Sequence, residues 1–151
     1  MSKVSFQEEK FEDVIEELKP LLTFHWNELA NNKDIRPLDV DFDTYVKLSE
    51  IGSLRLFTVR NDGVLVGYAS FMLANNPHYK TWKYATCDVY YLDPRFRLSG
   101  IGTTMFEEIQ SWLKSLGVKS VTVQDKINHS HEEFFLRLGF NLVERTYEKI
   151  L

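Results

Sequence analysis

The chain has 151 residues, 44% of them hydrophobic and 14% aromatic, which is enough apolar material for one core and the usual size of a single domain spanning 1–151. A formal net charge of -4 and an isoelectric point near 5.6 argue against nonspecific nucleic-acid binding, which needs surplus Lys and Arg to meet phosphates, and favour cationic partners only weakly. The polar start MSKVSFQEEKFED and the shortness of every apolar run predict neither a signal peptide nor a transmembrane segment, so the expected compartment is the cytoplasm, with no membrane partner.

The one cysteine, Cys87, excludes an internal disulfide and sits in an aromatic, strand-like run, which places it in the core. No repeat, low-complexity tract or Gly/Pro/Ser-rich linker divides the chain, and no metal site is assigned.

Residues 3 to 8 read as a short first strand. A helix then carries Phe11, Val14, Ile15 and Leu18 on one face, with Pro20 expected to end or kink it. After the irregular NNKDIRPLDVD, Asp41 or Asp43 is placed to cap a second helix bearing Tyr45, Val46, Leu48 and Ile51, closed by Gly52. Two β-rich runs flank Asn61-Asp62-Gly63, the pattern of a hairpin. A loop ANNPHYKTW follows, and KYATCDVYYLD forms a long fourth strand stopped by Pro94.

The next helix has Met105, Phe106, Ile109, Trp112, Leu113 and Leu116 on one apolar stripe and Gly117 as its stop. A strand SVTVQ, a short helix from about Ser130 to Leu138 ended by Gly139, and a last strand within FNLVERTYEKIL complete the chain. An antiparallel meander followed by a strand-helix-strand unit predicts a mixed sheet with helices on its faces, an α/β (α+β) fold.

The segment DPRFRLSGIGTT joins the fourth strand to the long helix. The first turn of a helix carries N–H groups without internal partners and a partial positive charge, which suits an anion. Gly100 and Gly102 let a bulky phosphate approach the backbone, and Arg95 and Arg97 can add charge-assisted contacts. A dinucleotide fingerprint is disfavoured by Met105 where a small third residue should stand, and a Walker loop by Thr103 where a lysine should follow Gly102. From Gly-x-Gly alone, a flexible turn with solvated arginines explains the segment equally well.

Two spaced motifs carry a resemblance. Leu92-Asp93-Pro94 leads into Arg97-x-x-Gly100-x-Gly102, and Asn128 precedes FFLRLGF at residues 134 to 140. With the element order, these make the whole chain similar to the GNAT superfamily of acetyl-CoA-dependent N-acetyltransferases, and its style resembles short members common in phage and bacterial genomes. The resemblance implies a mixed, mostly antiparallel twisted sheet of six to seven strands flanked by about four helices. It implies that the amides of Leu98, Ser99, Gly100, Ile101, Gly102 and Thr103, with Arg97, bind the pyrophosphate of acetyl-CoA. Tyr91 and Leu92 would pair with the pantetheine arm as with an added strand, while Asn128 and the last helix, including Phe135, would face the cofactor from the other side.

The implied reaction moves the acetyl group to a primary amine of a small molecule or protein, held together with the donor in one complex. The resemblance implies a carboxylate base near the fourth strand: Asp88 first, Asp93 second. Strand alternation would put Asp88, Tyr90 and Leu92 on one wall. The family's usual acid, a Tyr before Leu-Gly-Phe, falls on Phe135, which donates no proton. Ser130, His129, Tyr90 and Tyr147 are the substitutes considered, and a non-catalytic acyl-CoA-binding or partner-binding module is the alternative. Only twelve residues follow Gly139, so either one long strand replaces the family's final two or a neighbouring subunit of a homodimer completes the sheet. Acceptor contacts are expected among His25, Trp26, Glu28, Asp39, Asp41, His78, Tyr79 and Trp82.

Overall fold

The computed structural model describes residues 1–151, with β1 (Val4–Glu9), α1 (Phe11–Leu29), α2 (Phe42–Glu50), β2 (Leu54–Asn61), β3 (Val64–Asn76), β4 (Tyr79–Leu92), α3 (Ile101–Ser115), β5 (Ser120–Thr122) and α4 (Glu132–Arg137) in chain order. A single 3₁₀ turn, Pro94–Phe96, separates β4 from the loop before α3. The strands form one sheet in the order β1-β2-β3-β4-β5, antiparallel throughout except that β5 runs parallel to β4. The α/β architecture expected from the element order is therefore present, and no helix is long and apolar enough to cross a membrane.

Both faces of the sheet are covered, which is why β3 runs apolar from Val64 to Ala74 with only Gly67 and Ser70 between. One face packs Phe57, Val59, Ala69 and Phe71 against Met105, Ile109 and Leu113 of α3. The other packs Leu54, Leu56, Leu65 and Tyr68 against Phe11, Val14, Leu18 and Leu21 of α1. Cys87 lies in the first of these clusters, and burial pushes its thiol well above the ordinary range, which leaves it a core residue without thiolate chemistry.

The turn chemistry follows the sequence closely. Asp62 and Gly63 both take positive φ, 48° and 83°, in the two-residue reversal between β2 and β3. Asp41, not Asp43, caps α2: its Oδ1 accepts from the Thr44 amide at 3.0 Å.

Five expectations are corrected. The sheet has five strands rather than six to seven, because residues 140–151 form no strand. The three-residue β5 pairs only with Tyr84, Ala85 and Thr86, so it offers a tail little edge to join, and Leu142, Val143 and Tyr147 are left exposed. The ANNPHYKTW stretch is not a loop: β3 and β4 pair through it, and reverse tightly at Pro77-His78, where the His78 amide donates to Asn76 Oδ1 at 2.9 Å. The strand expected over SVTVQ spans only Ser120–Thr122. The last helix begins at Glu132, because Asp125 accepts from the Ser130 hydroxyl and from the His131 amide, holding both residues in the preceding loop.

The fifth concerns Pro20, which neither ends α1 nor breaks it. An interior proline costs about 3 kcal/mol, whereas each large buried side chain contributes about 1.5–3 kcal/mol, and α1 buries Phe11, Val14, Leu18 and Leu21 on both sides of it. Tertiary burial wins. Pro20→Ala is accordingly expected to stabilise the protein by on the order of 1 kcal/mol, read as a higher urea midpoint at unchanged slope; a lower midpoint would show that α1 requires the proline.

Candidate active site

The site is organised by one irregularity in β4. Ser70 pairs with Val89 and the adjacent Phe71 with Cys87, so Asp88 is an extra residue with no cross-strand partner, a β-bulge. The bulge reverses the alternation. Ala85 and Cys87 face α3 before it, whereas Tyr90 and Leu92 face α3 after it, and Val89 and Tyr91 turn toward α1. Asp88, Tyr90 and Leu92 therefore do not share one wall, as unbroken alternation predicts. Asp88 points to the opposite face, where it accepts from the Tyr45 hydroxyl of α2 at 2.7 Å and from Ser70 Oγ at 3.4 Å.

Asp88 lines a cleft of about 380 Å³ between α1, the connection following it, β4 and the segment before α4. Tyr45, Ser70, Tyr90, His129 and His131 line it as well. Burial and the hydrogen bond to Asp88 push the Tyr45 phenol above its ordinary range, so it remains a donor. The Tyr90 hydroxyl lies 2.9 Å from His131 Nδ1, and its ring packs edge-on against Phe106 and Phe135. Burial raises the Tyr90 pKa and, helped by neighbouring positive charge, lowers that of His131. The imidazole tautomer sets which of the two donates.

At the end of β4 the chain enters the glycine loop. Gly100 takes φ 81° and acts as N-cap of α3, a backbone position that suits glycine. No acceptor in the protein takes the N–H groups of Leu98, Ser99, Gly100, Ile101, Gly102 or Thr103; the first bond of the helix runs from Thr104 to Gly100 O. Ser99 instead uses its hydroxyl, donating to Phe96 O at 2.7 Å. The arginines are already engaged: Arg95 pairs with Asp93 at 2.7 Å, and Arg97 reaches back to Leu92 O and to Glu28, each at 2.7 Å. Asp93 is held by Arg95 well below the usual carboxylate range and lies outside the cleft lining, which leaves Asp88 as the carboxylate in the cleft.

Beside this loop the sheet opens. β5 accompanies β4 only through Thr86, so the β4 backbone from Cys87 to Leu92, including Tyr91 and Leu92, has no partner strand on that side. In the segment before α4, the Asn128 side-chain amide donates to Asn31 Oδ1 at 2.8 Å, and Lys126 donates to Leu29 O at 3.1 Å; Asn128 does not line the cleft. These two bonds tie the segment before α4 to the end of α1. Ser130 is bound to Asp125 and does not line the cleft. Phe135 is buried among Tyr90, Phe106, Phe134 and Phe140.

Of the residues expected on the acceptor side, His25 and Trp26 line the cleft. Glu28 serves Arg97, Asp41 serves the α2 cap, and Asp39 lines a smaller neighbouring hollow. His78, Tyr79 and Trp82 sit at the far hairpin, with Trp82 donating to Ser120 Oγ, and none of them lines the cleft. Sequence reading passed over Tyr45, Ser70 and His131 as site residues. The sequence places Tyr45 on the second helix with Val46, Leu48 and Ile51, and its hydroxyl is the only sign of a second role.

The model of the acetyltransferase (GNAT) family matches residues 11–140. The chain belongs to the GNAT acetyltransferase family. Its fold is similar to that of glucosamine-6-phosphate N-acetyltransferase from Arabidopsis thaliana, at 16% identity and TM-score 0.73, with 98% of each chain covered. It is also similar to ribosomal-protein-alanine N-acetyltransferase from Brucella melitensis biovar Abortus 2308, at 16% identity and TM-score 0.78, over 99% of this chain and 98% of that one. An aminoglycoside acetyltransferase from an uncultured soil metagenomic sample, in complex with sisomicin, shares 15% identity at TM-score 0.72 over 99% and 97% of the two chains. At such identities the likeness speaks for the GNAT fold and not for an acceptor. No curated protein sequence is matched by this chain.

Proposed function

We propose that this GNAT chain is a cytoplasmic N-acetyltransferase that moves the acetyl group of acetyl-CoA to a primary amine, of a small molecule or a protein, by direct attack with both substrates bound. The observation that carries the donor is the run of six amides, Leu98 to Thr103, without a protein acceptor at the start of α3. Together with the helix dipole they suit the pyrophosphate, and the open edge of β4 at Tyr91 and Leu92 suits the amide-bearing pantetheine arm. Arg97 contributes by holding the loop to Leu92 O and Glu28. Asn128 contributes by tying the segment before α4 to Asn31.

When bound, acetyl-CoA supplies the activated acetyl group: the amine nitrogen bonds to the carbonyl carbon as the carbon–sulfur bond breaks. Asp88 takes the proton from the incoming ammonium, directly or through water, with Tyr45 and Ser70 fixing its carboxylate. An ordinary phenol, of pKa about 10, is already less acidic than a free thiol of about 8.5, and burial raises that of Tyr90 further. Tyr90 therefore acts by hydrogen bonding rather than proton transfer: with His131 Nδ1–H donating to its oxygen, the Tyr90 hydroxyl is free to donate to the departing sulfur, which takes up through water the second proton that the nitrogen sheds. This division of labour lets Phe135 stand where the family's acid is usual. Ser130 acts through Asp125, setting the turn that presents His131.

The test is calorimetry with CoA on the native chain and on Gly102→Trp. A Cβ at Gly102 would come no closer than 3.8 Å to Leu92 and 4.0 Å to Phe134, so the backbone there accepts a Cβ, and an indole beyond it obstructs the anion site. Affinity is expected to fall at least about tenfold, which is about 1.4 kcal/mol. Equal affinity in both proteins would remove the pyrophosphate assignment. CoA binding without turnover of any amine would favour the non-catalytic alternative that Phe135 motivates.

A further inference from the structure

Given the acetyl-transfer reading, on which this inference rests, the walls of the cleft narrow the acceptor. Its volume of about 380 Å³ is near the low end of the about 300–1,000 Å³ of ligand sites, enough for a compact molecule. One wall is hydrocarbon and indole: Leu22, Trp26 and Leu29 from α1, then Leu38 and Val40 from the connection to α2. These surfaces gain from an apolar body placed against them. Charge is scarce by comparison. Asp88 is the only carboxylate among the lining residues, and Lys126, fixed to Leu29 O, brings a positive charge beside the apolar wall.

This distribution discriminates between classes of amine. A polyamine or an aminoglycoside would place one ammonium on Asp88 and leave the others against the leucines or beside Lys126, desolvated and without a counter-charge. A monoamine has no such surplus. Its ammonium meets Asp88 at the bulge, and its body covers the α1 wall. We propose that the acceptor is a compact primary monoamine with an apolar body, aromatic or branched aliphatic, recognised by Asp88 at one end and by Leu22, Trp26 and Leu38 along its length.

The experiment uses the full chain with acetyl-CoA and measures thiol release with phenethylamine, tryptamine and isoamylamine against spermidine, an aminoglycoside and a lysine-containing peptide. The best monoamine is expected to exceed every polycation in kcat/KM by at least about tenfold. Leu38 is 40% exposed, so Leu38→Asp should fold. It adds a second carboxylate to the apolar wall. That variant should lose at least about fivefold on phenethylamine while gaining on 1,5-diaminopentane.

Calorimetry with CoA on the same preparations separates the two levels of failure. CoA binding accompanied by a preference for spermidine, the aminoglycoside or the peptide, or by no turnover of any monoamine, overturns this proposal while leaving the donor site standing. No change of preference in a folded Leu38→Asp overturns the role of the wall. Absence of CoA binding removes the acetyl-transfer reading and this proposal with it.

Discussion

Asp88→Asn is expected to lower kcat/KM for amine acetylation by about 10²- to 10⁴-fold, the usual contribution of a positioned acid–base group, with CoA affinity unchanged. The separation of the two readouts follows from geometry. Asp88 sits on the bulge and faces Tyr45 and Ser70, whereas the unpartnered amides of the glycine loop lie beyond the end of β4. Asparagine keeps an oxygen that accepts from Tyr45 and removes only the charge and the basic site. The residue is exposed, so the exchange should cost little stability. Tyr45→Phe should give a smaller loss, because it frees the carboxylate to rotate without removing it. The check is steady-state kinetics across pH with calorimetry alongside; an Asp88→Asn enzyme with the native pH–rate profile would exclude Asp88 as base.

How far this site was legible in the sequence depends on which interactions fix each residue. The glycine loop and its helix were legible because a local rule governs them: two glycines, a strand before and an apolar stripe after. The Asn61-Asp62-Gly63 hairpin was legible for the same reason. The bulge at Asp88 was not, since it exists only in the pairing of β4 with β3, and one extra residue there moves Tyr90 and Leu92 to the other face. Alternation is a property of a strand; register is a property of two. Pro20 misled for a related reason, because its local cost is outweighed by side chains that bury only when α1 meets the sheet. Asn128 was legible as a residue near the site, but its partner, Asn31, is 97 positions away. The tail resembles a strand in composition and forms none, because a strand needs an edge and β5 supplies three residues of it.

Lowering the pH from 7 to 5 is expected to remove about 2 kcal/mol of stability through His25 alone. Its ring lines the cleft from α1, and burial lowers its pKa from 6.5 to about 4, with the attraction of Glu28 too weak to compensate. The unfolded chain therefore takes up a proton near 6.5 and the folded chain does not until about 4. A depressed value on a basic group means that the unfolded state binds more protons across that window. The stabilisation is complete above the unfolded value and is lost progressively as the pH falls toward the folded one.

The hydrogen bonding agrees with the sign. Burial holds the Tyr68 phenol protonated, so it can donate to His25 Nδ1, 2.9 Å away, a bond that a protonated imidazole would give up, its Nδ1–H having to donate to the phenol oxygen instead. His25→Gln should flatten the change between pH 7 and 5 by about 2 kcal/mol relative to the native chain, measured by urea unfolding at each pH. The window also separates this effect from the paired carboxylates Glu8, Glu9, Glu28 and Asp93, whose values are lowered and whose contribution is lost only below the ordinary carboxylate range. Parallel pH dependences in the two proteins would mean that His25 accepts its proton in the folded state as readily as in water, and that the cleft beside it is wetter than its apolar walls imply.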